Sequence, residues 1–260
     1  MQSELLEAAW RCCDADEKCE RVAAVEQTTE LHQMLQQAAP LDQHQLEAGR
    51  PAAPQLISPR DVPRRGLGSE VGRAAMIHAI AHIEFNAINL ALDAALRFAG
   101  MPLDYYEDWI SVAKDEARHF GMLRGRLTDM GRSYGEFPAH NGLWEAAVKT
   151  ADHGLARMAL VPRVLEARGL DVTPQMIVRL KEVGDQASAD ILTVILEEEV
   201  RHVAIGTRWY RYLCEREGCE PISTFRALLD QHRVRRQKPF NEAARKAAGF
   251  EAEELIEPGQ

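Results

Sequence analysis

The sequence of 260 residues predicts an all-α protein. Hydrophobic residues make up 46% of the chain and can form a substantial core, whereas aromatic residues make up only 6%. Abundant Ala, Leu, Glu and Arg favour helix over sheet, because these residues lose little conformational freedom in a helix. Long segments with apolar residues at helical spacing lie between clusters of proline and glycine, which agrees with this class.

Two segments precede the main domain. Residues 1–37 carry apolar side chains at helical spacing and predict an N-terminal helical segment of two short helices. Residues 38–69 contain five prolines and three glycines, which predict an extended strap without long regular elements. We expect this strap to join the N-terminal segment to the main domain.

The main domain is predicted over residues 70–217 as four helices separated by glycine and proline signals. The predicted helices are Ser69–Phe98, Leu103–Met130, Leu143–Val183 and, after the turn at Gly184–Asp185, a fourth that ends near Glu217. Ser69 is suited to cap the first helix, and Gly131 is suited to end the second. The third helix is expected to be interrupted between Gly169 and Pro174.

A C-terminal extension follows over residues 218–260 and contains a basic stretch, Arg233–Lys238, before an acidic tail. This stretch could contact an RNA, an acidic carrier protein or the acidic tail of the same chain. Short basic runs are usually solvated, which is the default interpretation.

The motif Glu-x-x-His occurs twice, as Glu116–His119 in the second predicted helix and as Glu199–His202 in the fourth. The i, i+3 spacing directs both side chains of each motif toward one point. One match is unremarkable in a chain with nine histidines, but both copies also have Arg before the histidine and an acid before the glutamate. The chain therefore contains one structural unit twice.

Each motif has a candidate partner on the preceding helix. Glu84 lies 32 residues before Glu116, and Glu166 lies 33 residues before Glu199. The two members of the first pair are 16 and 16 residues from the intervening turn glycine, and those of the second pair are 18 and 15. Because equidistant residues lie at one height of an antiparallel hairpin, all four glutamates are predicted to share one level.

The predicted metal ligands are the carboxylates and imidazoles of Glu84, Glu116, His119, Glu166, Glu199 and His202. Most of them share their helix faces with apolar residues, where an unpaired carboxylate would be costly and metal coordination would compensate its desolvation. Glu166 is the weakest member because Pro162 and Arg163 share its face, and we retain it for the repeat geometry. Carboxylates with imidazoles suit a first-row metal ion.

Two glutamates together with two Glu-x-x-His motifs form the ligand set of ferritin-like di-iron or di-manganese carboxylate bundles, and the sequence resembles that superfamily. Residues 70–217, with the segment Ala167-Arg168-Gly169-Leu170-Asp171, more closely resemble an uncharacterised bacterial ferritin-like family catalogued as a domain of unknown function. This resemblance implies a four-helix bundle that holds two iron ions, with manganese as the alternative. The Glu-x-Arg-His form is also similar to acyl-carrier-protein desaturases, and the layout is similar to a ferritin-like tRNA hydroxylase.

The leading functional hypothesis is an oxidase or monooxygenase that activates O₂ at two metal ions, takes electrons from a donor and oxidises a small-molecule or carrier-bound substrate. One alternative is a ferroxidase or iron-handling protein, and another is a bundle with a vestigial metal site that acts as a binding module. A rubrerythrin-like peroxidase is disfavoured because the chain lacks four cysteines in paired spacing. A ribonucleotide reductase subunit is disfavoured by the chain length.

A net charge of −9 argues against a general nucleic-acid or membrane-surface binder. The five cysteines form no C-x-x-C pair, which fits reduced thiols in a cytoplasm. No apolar run approaches the roughly 20 residues that span a bilayer, and the acidic N-terminus does not look like a signal peptide. We expect a cytoplasmic protein, and a homodimer is compatible with the sequence.

Several residues near the motifs receive a structural interpretation. His78 and His82 precede Glu84 at spacings that do not place an imidazole on its face, so we expect hydrogen bonding rather than ligation. Tyr105 and Tyr106 are expected to be packing residues rather than radical sites. The acids before the motifs, Asp115 and Glu198, either fix the histidine tautomers or are solvated.

Overall fold

The computed structural model describes residues 2–39, 41 and 47–255. Pro40 and residues 42–46 of the predicted strap, and residues 256–260 of the acidic tail, lie outside the described residues. All regular elements within the described ranges are helical, and an isolated parallel β-bridge pairs Leu56 with Ala139. The all-α prediction is confirmed, and the described part of the strap contains no helix.

The chain divides into two compact units. Unit 1 comprises Met1–Val148 and Val183–Ser188, and unit 2 comprises Lys149–Glu182 and Ala189–Gln260. The helices that lie wholly in unit 1 are α1 (Gln2–Arg11), α2 (Ala15–Ala24), α3 (Thr29–Gln37), α4 (Glu70–Arg97), α5 (Leu103–Asp129) and α6 (Gly142–Val148). Unit 2 contains α7 (Gly154–Leu160), a π-helical turn (Val161–Glu166), α8 (Ala167–Glu182), all but the first three residues of α9 (Gln186–Glu217), α10 (Pro221–Gln231), α11 (Glu242–Ala247) and α12 (Ala252–Leu255).

The hairpin of α4 and α5 is the frame of unit 1. The Ser69 hydroxyl accepts a hydrogen bond of 3.1 Å from the Gly72 N–H and caps α4, as predicted. Gly100 turns the chain with φ of +71°, and Gly131 follows α5 with φ of +67°, a conformation that favours glycine. The predicted bounds of the first two long helices are confirmed to within one residue.

The N-terminal segment forms three helices rather than the two predicted. Asp14 accepts hydrogen bonds from the N–H groups of Asp16 and Glu17 and starts α2, and Thr28 accepts one from Leu31 and starts α3. These two caps divide the segment into three helices. The spacing of apolar residues alone does not reveal them. All three helices pack on α4 or α5 within unit 1.

Lys18 on α2 joins this segment to the hairpin. Its ammonium group is fully buried and donates hydrogen bonds to the carbonyl oxygens of Ala9 and Trp10 (2.9 Å each) and to Asn89 Oδ1 on α4 (2.6 Å). The two carbonyls belong to the last turn of α1, where backbone acceptors have no partner within the helix. Burial lowers the pKa of Lys18 to about 8.

Lys18→Met should lower the free energy of unfolding by about 3 kcal/mol or more, because three buried acceptors lose their donor. Lys181 on α8 is exposed and provides the control, and Lys181→Met should change stability by less than about 0.5 kcal/mol. Urea unfolding followed by circular dichroism measures both effects. Equal stability of the two variants would show that the Lys18 hydrogen bonds do not hold the segment in place.

The third predicted helix breaks at other points than expected. The chain leaves α6 at Val148 and re-enters a helix at Gly154, whereas α8 runs through Gly169 and Pro174 without interruption. A helix can absorb an internal proline at the loss of one hydrogen bond, and Gly169 alone does not stop it. The distortion occurs earlier, at Pro162, where the Ala167 N–H bonds the Pro162 carbonyl five residues back in a π-helical turn.

The core of unit 2 joins α8 and α9 to the C-terminal helices. Its cluster of buried apolar residues contains Ala167, Leu170, Val203, Ala248, Phe250 and Leu255. A Cβ atom at Gly206 of α9 would overlap the Pro162 ring, so glycine permits the close approach of α9 to the π-helical turn. The predicted fourth helix is confirmed as α9, which begins after Gly184 (φ +79°).

Arg163 and Arg236 bind the C-terminal segment within unit 2. The buried Arg163 guanidinium stacks 4.4 Å from the ring centroids of Tyr210 and Phe225 and donates a hydrogen bond to Glu254. Arg236, from the predicted basic stretch, donates to the Glu254 carbonyl oxygen. The basic stretch therefore contacts the acidic C-terminal segment of the same chain, which is one of the three partners named for it above.

Among the described helices, α4 alone is long and apolar enough to cross a membrane by length and composition. Of the most apolar 18-residue stretch of α4, 72% is buried inside the protein. The core helix of a soluble protein passes the same test, and the burial of α4 agrees with that role.

Candidate metal centre

The α4–α5 hairpin brings Glu84, Glu116 and His119 together in the interior of unit 1. His119 Nδ1 lies 3.1 Å from Glu84 Oε2 and 3.3 Å from Glu116 Oε2, at hydrogen-bonding distance from both. The three residues are 5%, 1% and 0% exposed. One ligand atom from each lies within 4.8 Å of the others. The prediction that Glu84 and Glu116 occupy one level of their hairpin is confirmed.

Helix geometry explains this meeting of polar groups. Glu116 and His119 are three residues apart on α5 and therefore project from one face. Glu84 reaches them from α4 because Glu84 and Glu116 lie the same number of residues from the Gly100 turn, and therefore at one height of the hairpin. The helix faces around the group are apolar and buried; they include Ile77, Ala81, Ile88, Trp109, Val112, Ala113, Phe120 and Leu123.

The electrostatics of the group favour a positive charge at its centre. Burial alone would lower the pKa of His119, but the hydrogen bonds and negative charges of Glu116 and Glu84 outweigh it and raise the pKa to about 11. The proton on Nδ1 thus occupies a position between two carboxylates. A histidine ligand must be neutral, so metal binding would release this proton, and a divalent cation can then occupy its position between the carboxylates.

Glu199 and His202 repeat part of this arrangement in unit 2. His202 Nδ1 lies 3.3 Å from Glu199 Oε1, the same separation as between His119 and Glu116. The His202 side chain is fully buried, and that of Glu199 is 12% exposed. Both Glu-x-x-His motifs therefore adopt one local geometry, with carboxylate and imidazole side by side.

Glu166 is the last residue of the π-helical turn, and its Oε2 atom is shielded from solvent. A π turn contains more residues than an α turn, so the α-helical face that grouped Glu166 with Pro162 and Arg163 does not apply here. Arg163 instead stacks on the aromatic rings that hold the C-terminal segment. π turns of this kind often mark functional sites, and the role of Glu166 as a ligand stays a prediction.

His78 and His82 make core hydrogen bonds, as predicted. His78 Nε2 accepts a hydrogen bond of 2.8 Å from the Gly135 N–H. His82 Nδ1 lies 2.8 Å from the Tyr134 hydroxyl, and its Nε2 lies 3.1 Å from the Asn86 amide nitrogen. Both imidazoles are thus engaged away from the Glu84 carboxylate.

Tyr134 packs on the α4–α5 hairpin that carries the group and was missed by the sequence analysis. Its ring packs edge to face on Phe120, with 4.9 Å between centroids, and tilts against Phe85 at 6.1 Å. These phenylalanines directly follow His119 and Glu84 in the sequence. Tyr134 lies in an irregular loop between Gly131 and Gly135, where no periodic pattern could assign it to the core.

The remaining neighbours have structural roles. The hydroxyls of Tyr105 and Tyr106 donate to the carbonyl oxygens of Ala94 and Phe98, and both rings are buried, which supports the predicted packing role. Asp115 accepts a hydrogen bond of 3.2 Å from Arg118 on the partly exposed side of α5.

The fold and the site define the chain as an all-α protein with a buried Glu/His group that could hold a metal ion. The chain belongs to the family described as "Protein of unknown function (DUF455)", whose sequence profile matches residues 11–256. It is 46% identical over 216 residues to an uncharacterized protein of Haemophilus influenzae strain Rd, an alignment that covers 80% of this chain and 75% of that protein. No solved structure gives a significant match. The expected membership of an uncharacterised bacterial family is confirmed.

His78 should make the stability of the protein depend on pH. Burial lowers the pKa of His78 to about 4, and the nearby charge of Glu136 opposes this only in part. As the pH falls, the unfolded chain, with a histidine pKa near 6.5, therefore binds a proton at higher pH than the folded protein does. The contribution of neutral His78 is present above pH 6.5 and is lost as the pH falls toward 4.

His78→Gln keeps an acceptor for the Gly135 N–H but cannot be protonated. Urea-unfolding midpoints measured between pH 7 and pH 4.5 should fall more steeply for the wild-type protein than for this variant. Parallel pH profiles would contradict the assignment of His78 as a buried neutral residue.

Proposed function

We propose that the protein is a di-metal carboxylate oxidase or monooxygenase of ferritin-like architecture, which activates O₂ to oxidise an organic substrate. The observation that carries the proposal is the buried group of Glu84, Glu116 and His119 in unit 1. The second Glu-x-x-His motif, with its matching separation of 3.3 Å, supports a second metal ion.

The donor atoms fit iron or manganese. The proposed set contains four carboxylates and two imidazoles, from Glu84, Glu116, His119, Glu166, Glu199 and His202. Carboxylate-rich sites with few nitrogen donors suit hard, higher-valent ions, whereas sites for softer ions use thiolates or more imidazoles. When bound, a pair of iron ions supplies the electrons that reduce O₂.

The protein's own residues hold and shield such a site. His119 Nδ1, the atom that lies between the Glu84 and Glu116 carboxylates, would face an ion that replaces its proton. The apolar faces of α4 and α5 around it keep water from the group. Exclusion of water protects reactive oxygen chemistry from side reactions and strengthens the interactions of buried charges.

The proposal also concerns architecture. It requires α4, α5, α8 and α9 to form the four helices of a ferritin-like bundle, with the four glutamates at one level. The α4–α5 hairpin supports this arrangement because it already aligns Glu84 with Glu116. The similar residue spacing around Gly184 supports the same alignment in the second pair.

Metal analysis and oxygen consumption test the proposal. Protein loaded with ferrous iron under anaerobic conditions should bind about two ions per chain and consume O₂ when a reductant is supplied. Glu116→Ala removes a buried ligand and should lower both iron retention and O₂ consumption at least about tenfold. Glu107→Ala, at an exposed acidic residue of the same helix, is the control and should change neither.

Unit 2 allows a parallel pair of variants. Glu199→Ala should reduce bound iron, and Glu197→Ala, at an exposed residue two positions earlier on α9, should not. A purified protein that holds neither iron nor manganese and consumes no O₂ after loading would refute the proposal. Iron mineral formed without a need for reductant would favour a ferroxidase, and full complementation of a deletion strain by Glu116→Ala with Glu199→Ala would favour a binding module.

A further inference from the structure

The C-terminal end of α9 is a Schellman turn. Gly218 follows the helix with φ of +68°, the left-handed conformation that this motif uses. The Cys219 N–H donates to the Cys214 carbonyl oxygen (2.9 Å), and the Gly218 N–H donates to that of Glu215 (3.2 Å). This pair of hydrogen bonds is the signature of the motif.

A Schellman turn brings together the side chains of the two residues joined by its outer hydrogen bond, which are usually apolar. In this chain both are cysteines. The turn therefore places the Cys214 and Cys219 side chains next to each other, and the Cys219 thiol and the Tyr210 hydroxyl both contribute to the pKa of Cys214. The backbone hydrogen bond of 2.9 Å also holds the two Cα atoms close, as a disulfide requires.

We propose that Cys214 and Cys219 form a reversible disulfide in response to hydrogen peroxide, and that this bond closes the last turn of the helix that carries Glu199 and His202. The Cys219 sulfur attacks the peroxide O–O bond, which yields a sulfenic acid and one water. The Cys214 sulfur then attacks the Cys219 sulfur and displaces the hydroxyl group as a second water. The two thiols lose two protons and two electrons, and the hydrogen peroxide is reduced to two waters.

The difference in exposure between the two thiols indicates that Cys219 reacts with the peroxide before Cys214 does. Cys219 is partly exposed and can meet the peroxide, whereas Cys214 is fully buried. Burial, with a smaller effect of the Cys219 thiol, raises the pKa of Cys214 to about 11, so that it remains protonated at neutral pH and does not react first. In a reducing compartment the pair rests as two thiols.

Tyr210 holds the structure around the turn in place. The Tyr210 hydroxyl donates a hydrogen bond of 2.6 Å to the Pro221 carbonyl oxygen and holds the start of α10 beside the turn. The Tyr210 ring packs on Phe225 of α10 and on Arg163. Cys12, in contrast, directs its thiol to the Asp14 carbonyl and Glu17, and Cys13 is exposed.

Peptide mapping tests the proposal directly, because Arg216 lies between the two cysteines. The full-length protein is treated with increasing hydrogen peroxide, remaining thiols are alkylated, and the unfolded protein is digested with trypsin. Cleavage after Arg216 separates the cysteines onto two peptides, so a disulfide appears as a linked pair, Tyr212–Arg216 with Glu217–Arg226. Reduction with dithiothreitol before alkylation should abolish the linked pair.

Cys13 serves as the internal reference for the dose of peroxide, because its thiol is exposed. The linked pair should account for most of the Cys214 and Cys219 peptides at a dose at which half of Cys13 is oxidised. In Cys214→Ser, Cys219 should instead proceed to sulfinic acid at that dose. Cys214 that remains fully alkylatable in the wild-type protein, while Cys13 is oxidised, would overturn the proposal whatever the metal content of the sample.

Discussion

The placement of two glutamate carboxylates around one histidine, inside an apolar hairpin, is the constraint on which unit 1 depends. Glu84 and Glu116 are almost completely buried, and desolvation of a carboxylate is unfavourable unless a charged partner compensates it. A protonated His119 provides that compensation, because both carboxylates lie at hydrogen-bonding distance from its Nδ1 atom. Its position requires that the long antiparallel helices α4 and α5 face each other. These helices are packed by apolar neighbours and, through Lys18, by the N-terminal helices.

The same constraint links structure to function. A protein that needed only stability could replace a buried polar group by apolar residues of similar size at little loss of stability. The presence of two carboxylates and an imidazole at one point of the interior therefore favours a role in cation binding. The repetition of the Glu-x-x-His geometry in unit 2 extends this argument, because an independent helix shows the same separation of carboxylate and imidazole. The proposed reaction rests on that donor set.

Helices α4, α5 and α9 and the meeting of Glu84 with His119 could be predicted from the sequence because they depend on local signals. Ser69, Gly100 and Gly131 fix the hairpin, and the i, i+3 spacing with equal distances from Gly100 places Glu84 beside His119. Other features depend on contacts between distant segments or on unusual backbone. The π-helical turn at Pro162 changes the helical period, and Tyr134 enters the core from an irregular loop. Cys214 and Cys219 are joined by the backbone hydrogen bond of a turn and lie five residues apart, a spacing that a search for C-x-x-C pairs does not find.

A crystal structure of iron- and manganese-soaked protein, with anomalous scattering recorded at both metal edges, tests the central claim most directly. We predict two anomalous peaks, bounded by the carboxylates of the four glutamates and the imidazoles of His119 and His202. One peak should lie within bonding distance of Glu84, Glu116 and His119. The absence of anomalous density at these residues would contradict the claim that Glu84, Glu116 and His119 form a metal centre.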